Sequence, residues 1–262
     1  MKTVAFSVNA SKPAAPIVRD RLAALARGCG MEVVDAGETT PEVVIVLGGD
    51  GTMLSAVHRF PGIPLLGLNL GSLGYLASVE EAHFDEAMRA LAEDRYGVSH
   101  RTALMVRDVN ALNDVVVSRG VTGHAIRLDF GVDGEPVTRF VADGLVIATP
   151  TGSTAYSLAA GGPVLMPTSQ SFVVTPVCPH ALSSRPLVLR DSARMSVAVE
   201  VREAGDEPVV FADGRQVCTL AAGESLLIEK SSATVPLVEL DAINPYAVLT
   251  RKLGWSGSSF RP

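Results

Sequence analysis

The sequence predicts two domains of different class: a three-layer, Rossmann-like α/β domain over residues 1–98, then an antiparallel β-sandwich-like domain over residues 99–243. Three observations carry this reading. Continuous apolar runs alternate with helix-period segments through the first hundred residues, as parallel strands alternate with crossover helices. From about Gly97 the helical period gives way to short β-branched runs separated by turn residues. The composition, 47% hydrophobic and 19% charged over 262 residues, supplies a core of globular size without staples.

In the first domain, Val4–Val8 reads as a short buried strand, and residues 14–27 as a helix with Ile17, Leu22, Leu25 and Ala26 near helical spacing. Gly28 and Gly30 close that helix. Glu32–Asp35 and Val43–Leu47 read as strands, the second a β-branched run of the kind buried in a parallel sheet. A helix over Met53–Arg59, a strand over Pro64–Leu68 and an amphipathic helix over His83–Ala92 complete the series. In the second domain, strands are expected at Val115–Val117, Ala125–Val132, Pro136–Val141, Phe172–Pro176, Met195–Val201, Val209–Phe211 and Leu226–Glu229. Asp133-Gly134 and Asp213-Gly214 each sit between two such runs and predict hairpin turns. The tail 244–262 is expected to return to the first domain, with a helix from Asn244 to Trp255.

The charge balance excludes some functions. A net charge of −6 argues against a general nucleic-acid binder and against a basic membrane-surface protein. An anionic substrate must then be held by local groups. Cys29, Cys178 and Cys218 are too few and too scattered for a disulfide framework or a zinc site, and they fit a reducing cytoplasm. His58, His83, His100 and His124 show no metal spacing. The N-terminal apolar run is too short for a signal peptide. Residues 144–184 contain no Asp, Glu, Lys or Arg, yet the prolines and glycines among them exclude a membrane-spanning helix. So long an uncharged stretch predicts a homo-oligomer with part of the β-rich domain at its interface.

Three clusters carry chemistry. Gly48-Gly49-Asp50-Gly51-Thr52 lies between a buried strand and a helix, where open α/β sheets bind ligands and helix N-termini offer free N–H donors. A tight Asp-Gly turn is the plain alternative, and the two hairpins show that the chain uses such turns. Here, however, no hairpin is formed, and two glycines precede the acid. The chain has four lysines and no Walker-type GxxxxGK[ST], so this loop does not simply cradle phosphate. A carboxylate beside phosphates is repelled unless it takes a proton or faces a metal, which points to phosphoryl transfer.

The second cluster is Asn113-Asp114 before a strand, suited to an adenine edge and ribose hydroxyls, or simply to opening a strand. The third runs from Asp143-Gly144 through an apolar strand into Thr149-Pro150-Thr151-Gly152-Ser153-Thr154-Ala155-Tyr156-Ser157. Hydroxyls and apolar surface without charge are what a nucleoside pocket needs. Tyr156 can stack on a base or fill a core. Cys178 beside Pro179 reads as buried packing, since no helix start is there to activate its thiol.

In this order and spacing, the clusters resemble the NAD kinase family. The match runs through residues 48–52, Asn113-Asp114 and the specific block from Asp143 to Pro163, with a further similar segment at 183–188. The resemblance implies transfer of the ATP γ-phosphoryl group to the adenosine ribose 2′-hydroxyl of NAD, with Mg²⁺ or another divalent cation. It also implies an active site between the two domains and a homodimer or homotetramer. Asp50 would be the general base, with Gly51 beside it. Asn113, Asp114, Asp143 and the turn Thr154, Ala155, Tyr156, Ser157, Leu158, Ala159 would bind NAD. Cys178 falls where the family lines the nucleotide pocket, and His124 and Arg215 where ligand is often touched; Gln216 is the alternative to Arg215. Asp114 stands where Glu is frequent, and Val141 where a basic residue is common. The Gly-Asp-Gly loop also looks like those of lipid kinases and phosphofructokinases, but Met53-Leu54 follows it here, and no Thr-x-Asp base motif occurs. A catalytically silent NAD(P)-binding regulator is the remaining alternative.

Overall fold

The computed structural model describes residues 1–9, 11–71, 74–77, 79–120, 123–200, 207–240 and 245–254. The chain forms two compact units, Met1–His100 with Val235–Pro262, and Arg101–Thr234.

The first unit is a parallel sheet between helices. Its strands are β1 (Thr3–Val8), β2 (Glu32–Val33), β3 (Val43–Gly48) and β4 (Leu65–Asn69), in the order β2-β1-β3-β4; its helices are α1 (Ala15–Gly28), α2 (Asp50–Arg59) and α3 (Phe84–Ala92). Val43, Ile45 and Leu47 of β3 pack with Val18, Leu22 and Ala26 of α1 and with Phe84, Met88 and Leu91 of α3. The alternate residues Val44 and Val46 are equally buried but point to the other face, where α2 lies. That gives three layers. The buried stripe of α1 is Ala15, Val18, Leu22, Ala23 and Ala26, so Ile17 lies outside it and is 75% exposed, contrary to the expected apolar face.

One boundary differs in a way that matters. The helix after the glycines begins at Asp50, not Met53. Gly49 takes extended backbone as the N-cap, and its N–H donates to Thr52 Oγ1 at 3.4 Å, so the third helical residue reaches back to cap the helix. Gly48 has no room for a side chain, because a Cβ there would lie 2.2 Å from Thr52 Oγ1. Asp50 therefore occupies the first helical turn, where the backbone dipole favours a negative charge.

The second unit holds β5 (Gly97–Val106, shared with the first), β6 (Val109–Ala111), β7 (Asp114–Ser118), β8 (Ile126–Val132), β9 (Glu135–Ala142), β10 (Gly144–Ala148), a single turn α4 (Tyr156–Ala159), β11 (Ser171–Val177), β12 (Leu187–Arg190), β13 (Met195–Glu200), β14 (Val209–Ala212), β15 (Arg215–Thr219) and the start of β16 (Ser225–Glu239). Two antiparallel sheets result, β16-β13-β8-β9 and β12-β11-β10-β7-β14-β15. Leu128, Phe130, Met195 and Val197 of one pack on Val115, Val117, Leu145, Phe172 and Val174 of the other. Both Asp-Gly pairs make two-residue hairpins, with φ of 53° and 89° at Asp133-Gly134 and 48° and 76° at Asp213-Gly214. The strand expected over Leu226–Glu229 runs on to Glu239, its last residues lying in the first unit with Leu237 beside Leu65. The expected ends Val201, Asn244 and Trp255 lie outside the described residues; α5 (Pro245–Lys252) belongs to the first unit, where Arg251 pairs with Glu80.

Candidate active site

In the first unit the carboxyl ends of β1, β3 and β4 lie side by side. Asp50 projects from the start of α2 into a loop that follows β4. Its Oδ1 accepts the amides of Leu76 and Ala77 at 2.9 and 3.1 Å, and its Oδ2 accepts that of Tyr75 at 2.9 Å. Two glycines permit this approach. A Cβ at Gly74 would lie 2.1 Å from Asp50 Oδ1, and one at Gly67 would lie 2.8 Å from the Ala77 Cα. Burial, with the Asp50 charge second, raises the Tyr75 hydroxyl above its ordinary pKa. Lys12 reaches the same edge, donating to the Leu70 carbonyl at 3.2 Å.

In the second unit a separate constellation gathers at one end of the six-stranded sheet. Asp114 opens β7 opposite Ala148, the last residue of β10, and the chain then turns through Thr149 to Gly152. The Thr149 amide donates to Asn113 O at 2.9 Å, and its hydroxyl to Leu112 O at 2.5 Å. A Cβ on Gly152 would lie 1.9 Å from Asn113 O, so glycine is obligatory at this contact. Asp114 is 6% exposed; burial, then the nearby charge of Asp213, pushes its carboxyl up to about 7. Arg215 is exposed just beyond the Asp213-Gly214 turn, as is Gln216.

Asp143 lies elsewhere. It precedes β10 at the opposite end of the strand from Thr149, a separation of roughly 20 Å at strand rise. There it faces Arg119 at 3.5 Å, with His124 and Cys178 on neighbouring segments. The sheet thus splits the expected nucleotide residues of this unit between its two ends. Cys178 is exposed with a φ of 46°, not packed in a core as expected.

The turn 154–159 lies over the sheet between these ends. The Ser157 hydroxyl is buried and bonds Thr175 Oγ1 at 2.8 Å, and the Ser153 hydroxyl donates to Pro150 O at 2.7 Å while accepting the Leu165 amide. These hydroxyls close the turn instead of converging on a pocket. Outward remain the Tyr156 ring, 46% exposed and so not a core tyrosine, the partly exposed Thr154, Ala155 and Leu158, and the exposed Ala159. Sequence reasoning missed Gly67, Gly74 and Asp213. The two glycines form no named motif, and Asp213 was accounted for by its hairpin.

Comparison with known proteins supplies the family. Residues 7–96 match the ATP-NAD kinase N-terminal domain and residues 112–240 the ATP-NAD kinase C-terminal domain. An NAD kinase of Syntrophotalea carbinolica is 34% identical, over 97% of this chain and 99% of its own length. That of Acidobacterium capsulatum is 40% identical over 84% of this chain and 81% of its own length. Among solved structures, yeast NADH kinase complexed with NADH superposes with a TM-score of 0.83 at 25% identity, covering 98% of this chain and 89% of that one. An Archaeoglobus fulgidus NAD kinase in complex with ATP shares the fold, with a TM-score of 0.80 at 24% identity over 98% of this chain and 99% of its own. Matched in both domains and along nearly its whole length, the chain belongs to the NAD kinase family.

Proposed function

We propose that this NAD kinase phosphorylates NAD with Asp50 as the general base. The reaction of the family is ATP-dependent phosphorylation of NAD to NADP. In the step proposed here, the adenosine ribose 2′-oxygen bonds to the γ-phosphorus as the bridging P–O bond breaks. ADP leaves with that electron pair, and the hydroxyl proton passes to Asp50. The observation behind this role is the carboxylate's own hydrogen bonding. With two amides on Oδ1 and one on Oδ2, the uncommitted lone pair is on Oδ2, the atom assigned the proton. The amides hold it in one orientation before substrate arrives.

Asn113, Asp114 and the turn 154–159 take the nucleoside in this reading. The divalent cation belongs to the substrate, carried on the ATP phosphates. The donor set suits that arrangement: among the described residues no three His, Cys, Asp or Glu gather to cage an ion. Mg²⁺ ordinarily rests on substrate phosphates with one or two carboxylates. The chain works as a homo-oligomer in the cytoplasm, where its three free cysteines stay reduced. Among the described residues no helix is long and apolar enough to cross a membrane.

The test is an incubation of protein with ATP, Mg²⁺ and NAD, NADH or lipid. NADP should form from NAD, and chelation of Mg²⁺ should abolish it reversibly. Phospholipid without NADP, or NAD binding without turnover, would overturn the proposal.

A further inference from the structure

Asp213 does more than make a hairpin. Its φ of 48°, followed by 76° at Gly214, satisfies a tight two-residue turn, and Asn would serve that turn equally well. The turn does not account for where the carboxylate goes. Oδ2 accepts the Leu112 amide at 2.8 Å, and Oδ1 accepts those of Asn113 and Asp114 at 2.7 and 3.3 Å. The Asp213 amide returns a bond to Asp114 O at 3.0 Å. The register that sets Ala212 opposite Val115 brings the two segments together.

Thr149 holds two of these residues by their carbonyls, Leu112 O and Asn113 O. Residues 112–114 are therefore gripped along their backbone. Their side chains are left differently: the Asn113 carboxamide has no hydrogen-bond partner among the described residues, and Asp114, a residue only 6% exposed, sets its carboxyl near the charge of Asp213.

We infer that Asp213 is a positioning residue of the NAD site, clamping the backbone of Leu112–Asp114 so that the Asn113 carboxamide and the Asp114 carboxyl meet the nucleoside in a fixed geometry. This rests on the reading that Asn113 and Asp114 contact NAD. The clamp also has an electrostatic consequence. Among the described residues, Asp213 is the charged group acting on Asp114, and its charge adds to burial in keeping that proton on toward neutral pH. Removing the charge lets Asp114 ionise at lower pH.

The experiment compares steady-state kinetics across pH for the full-length enzyme and for Asp213→Asn, Asp213→Glu and Asn113→Ala. Asn keeps one acceptor oxygen but turns an N–H toward the Leu112 amide and removes the charge. It should raise KM for NAD roughly tenfold, with kcat and KM for ATP changed far less. It should also move the pH dependence of the NAD KM to lower pH. Glu keeps the charge but displaces the grip by a methylene, so KM for NAD should rise while the pH dependence stays near that of the parent. If the Asn variant does not fold, the Glu variant decides alone by its NAD KM. Asp213 variants with the parent's NAD KM and pH profile, alongside an Asn113→Ala that loses NAD, overturn the inference, even if they melt earlier. An Asn113→Ala that binds NAD normally overturns the underlying reading, and this one with it.

Discussion

Replacing Asp50 by Asn keeps the outline of the side chain and removes its proton acceptor and its charge. The amide retains the Leu76 and Ala77 bonds through one oxygen, but must present an N–H to the Tyr75 amide. General-base assistance is worth about 10²–10⁴ in rate. We expect Asp50→Asn to lose at least about 10²-fold in kcat, with NAD affinity changed much less or slightly improved, since no carboxylate then faces the phosphates. Near-normal turnover with lost NAD binding would make Asp50 a ligand-positioning residue and move the base elsewhere. Asp114 offers a stability test at the same scale. Its carboxyl, pushed up to about 7 against an ordinary value of 3.8, holds a proton in the folded chain that the unfolded chain releases. Stability is therefore unpenalised below about 3.8 and is lost progressively as pH rises from there through about 7. At about 1.4 kcal/mol per unit the cost above neutrality is at most roughly 4 kcal/mol. Asp114→Asn should raise Tm at pH 8 and leave it unchanged near pH 4. Equal Tm values for the two proteins at pH 8 would show that burial is not penalising the charge.

At the scale of elements, what was legible depended on whether a signal was local. The β3–α2 junction and both Asp-Gly hairpins follow from residues a few positions apart, so their kind could be read directly, although α2 starts at Asp50, three residues before the expected Met53. Gly97–Val106 carries polar residues between apolar ones and Leu187–Arg190 is only four residues long, and pairing with β16 and with β11 makes them strands. The loop that grips Asp50 was not legible for the same reason: Gly67 and Gly74 make their close contacts with residues brought near by the fold. Likewise no spacing shows that the Ser153 and Ser157 hydroxyls are spent inside the turn, which leaves only its outer surface open. That surface can be tested. Ala155 is partly exposed where the chain turns into α4, and Ala155→Trp sets an indole over it. NAD affinity should fall tenfold or more, about 1.4 kcal/mol, with the melting curve little changed. Unchanged affinity in the folded variant would place the nucleoside elsewhere.

For the molecule as a whole, the uncharged stretch 144–184 has a first explanation within one chain. Leu145–Ala148 and Phe172–Thr175 are fully buried in the central strands β10 and β11, so their lack of charge is what an interior sheet requires. What burial in one chain does not explain lies at the sheet's margin. Leu182 is 94% exposed, and Val188 stands 47% exposed on β12, the end strand of the six-stranded sheet. An end strand with open backbone groups and apolar side chains is a template for another copy unless something blunts it. A flanking Arg190 is paired with Asp133 and so does little to repel a partner. We therefore expect sedimentation velocity at micromolar concentration to show a dimer or tetramer, not the 27.4 kDa chain alone. Tm should rise with protein concentration, because assembly stabilises by mass action. Leu182→Asp combined with Val188→Lys should shift the population toward the single chain while leaving each unit folded. A monomer at every concentration tested would remove assembly from the account, and Leu182 and Val188 would then be ordinary exposed apolar residues of the kind every protein surface carries.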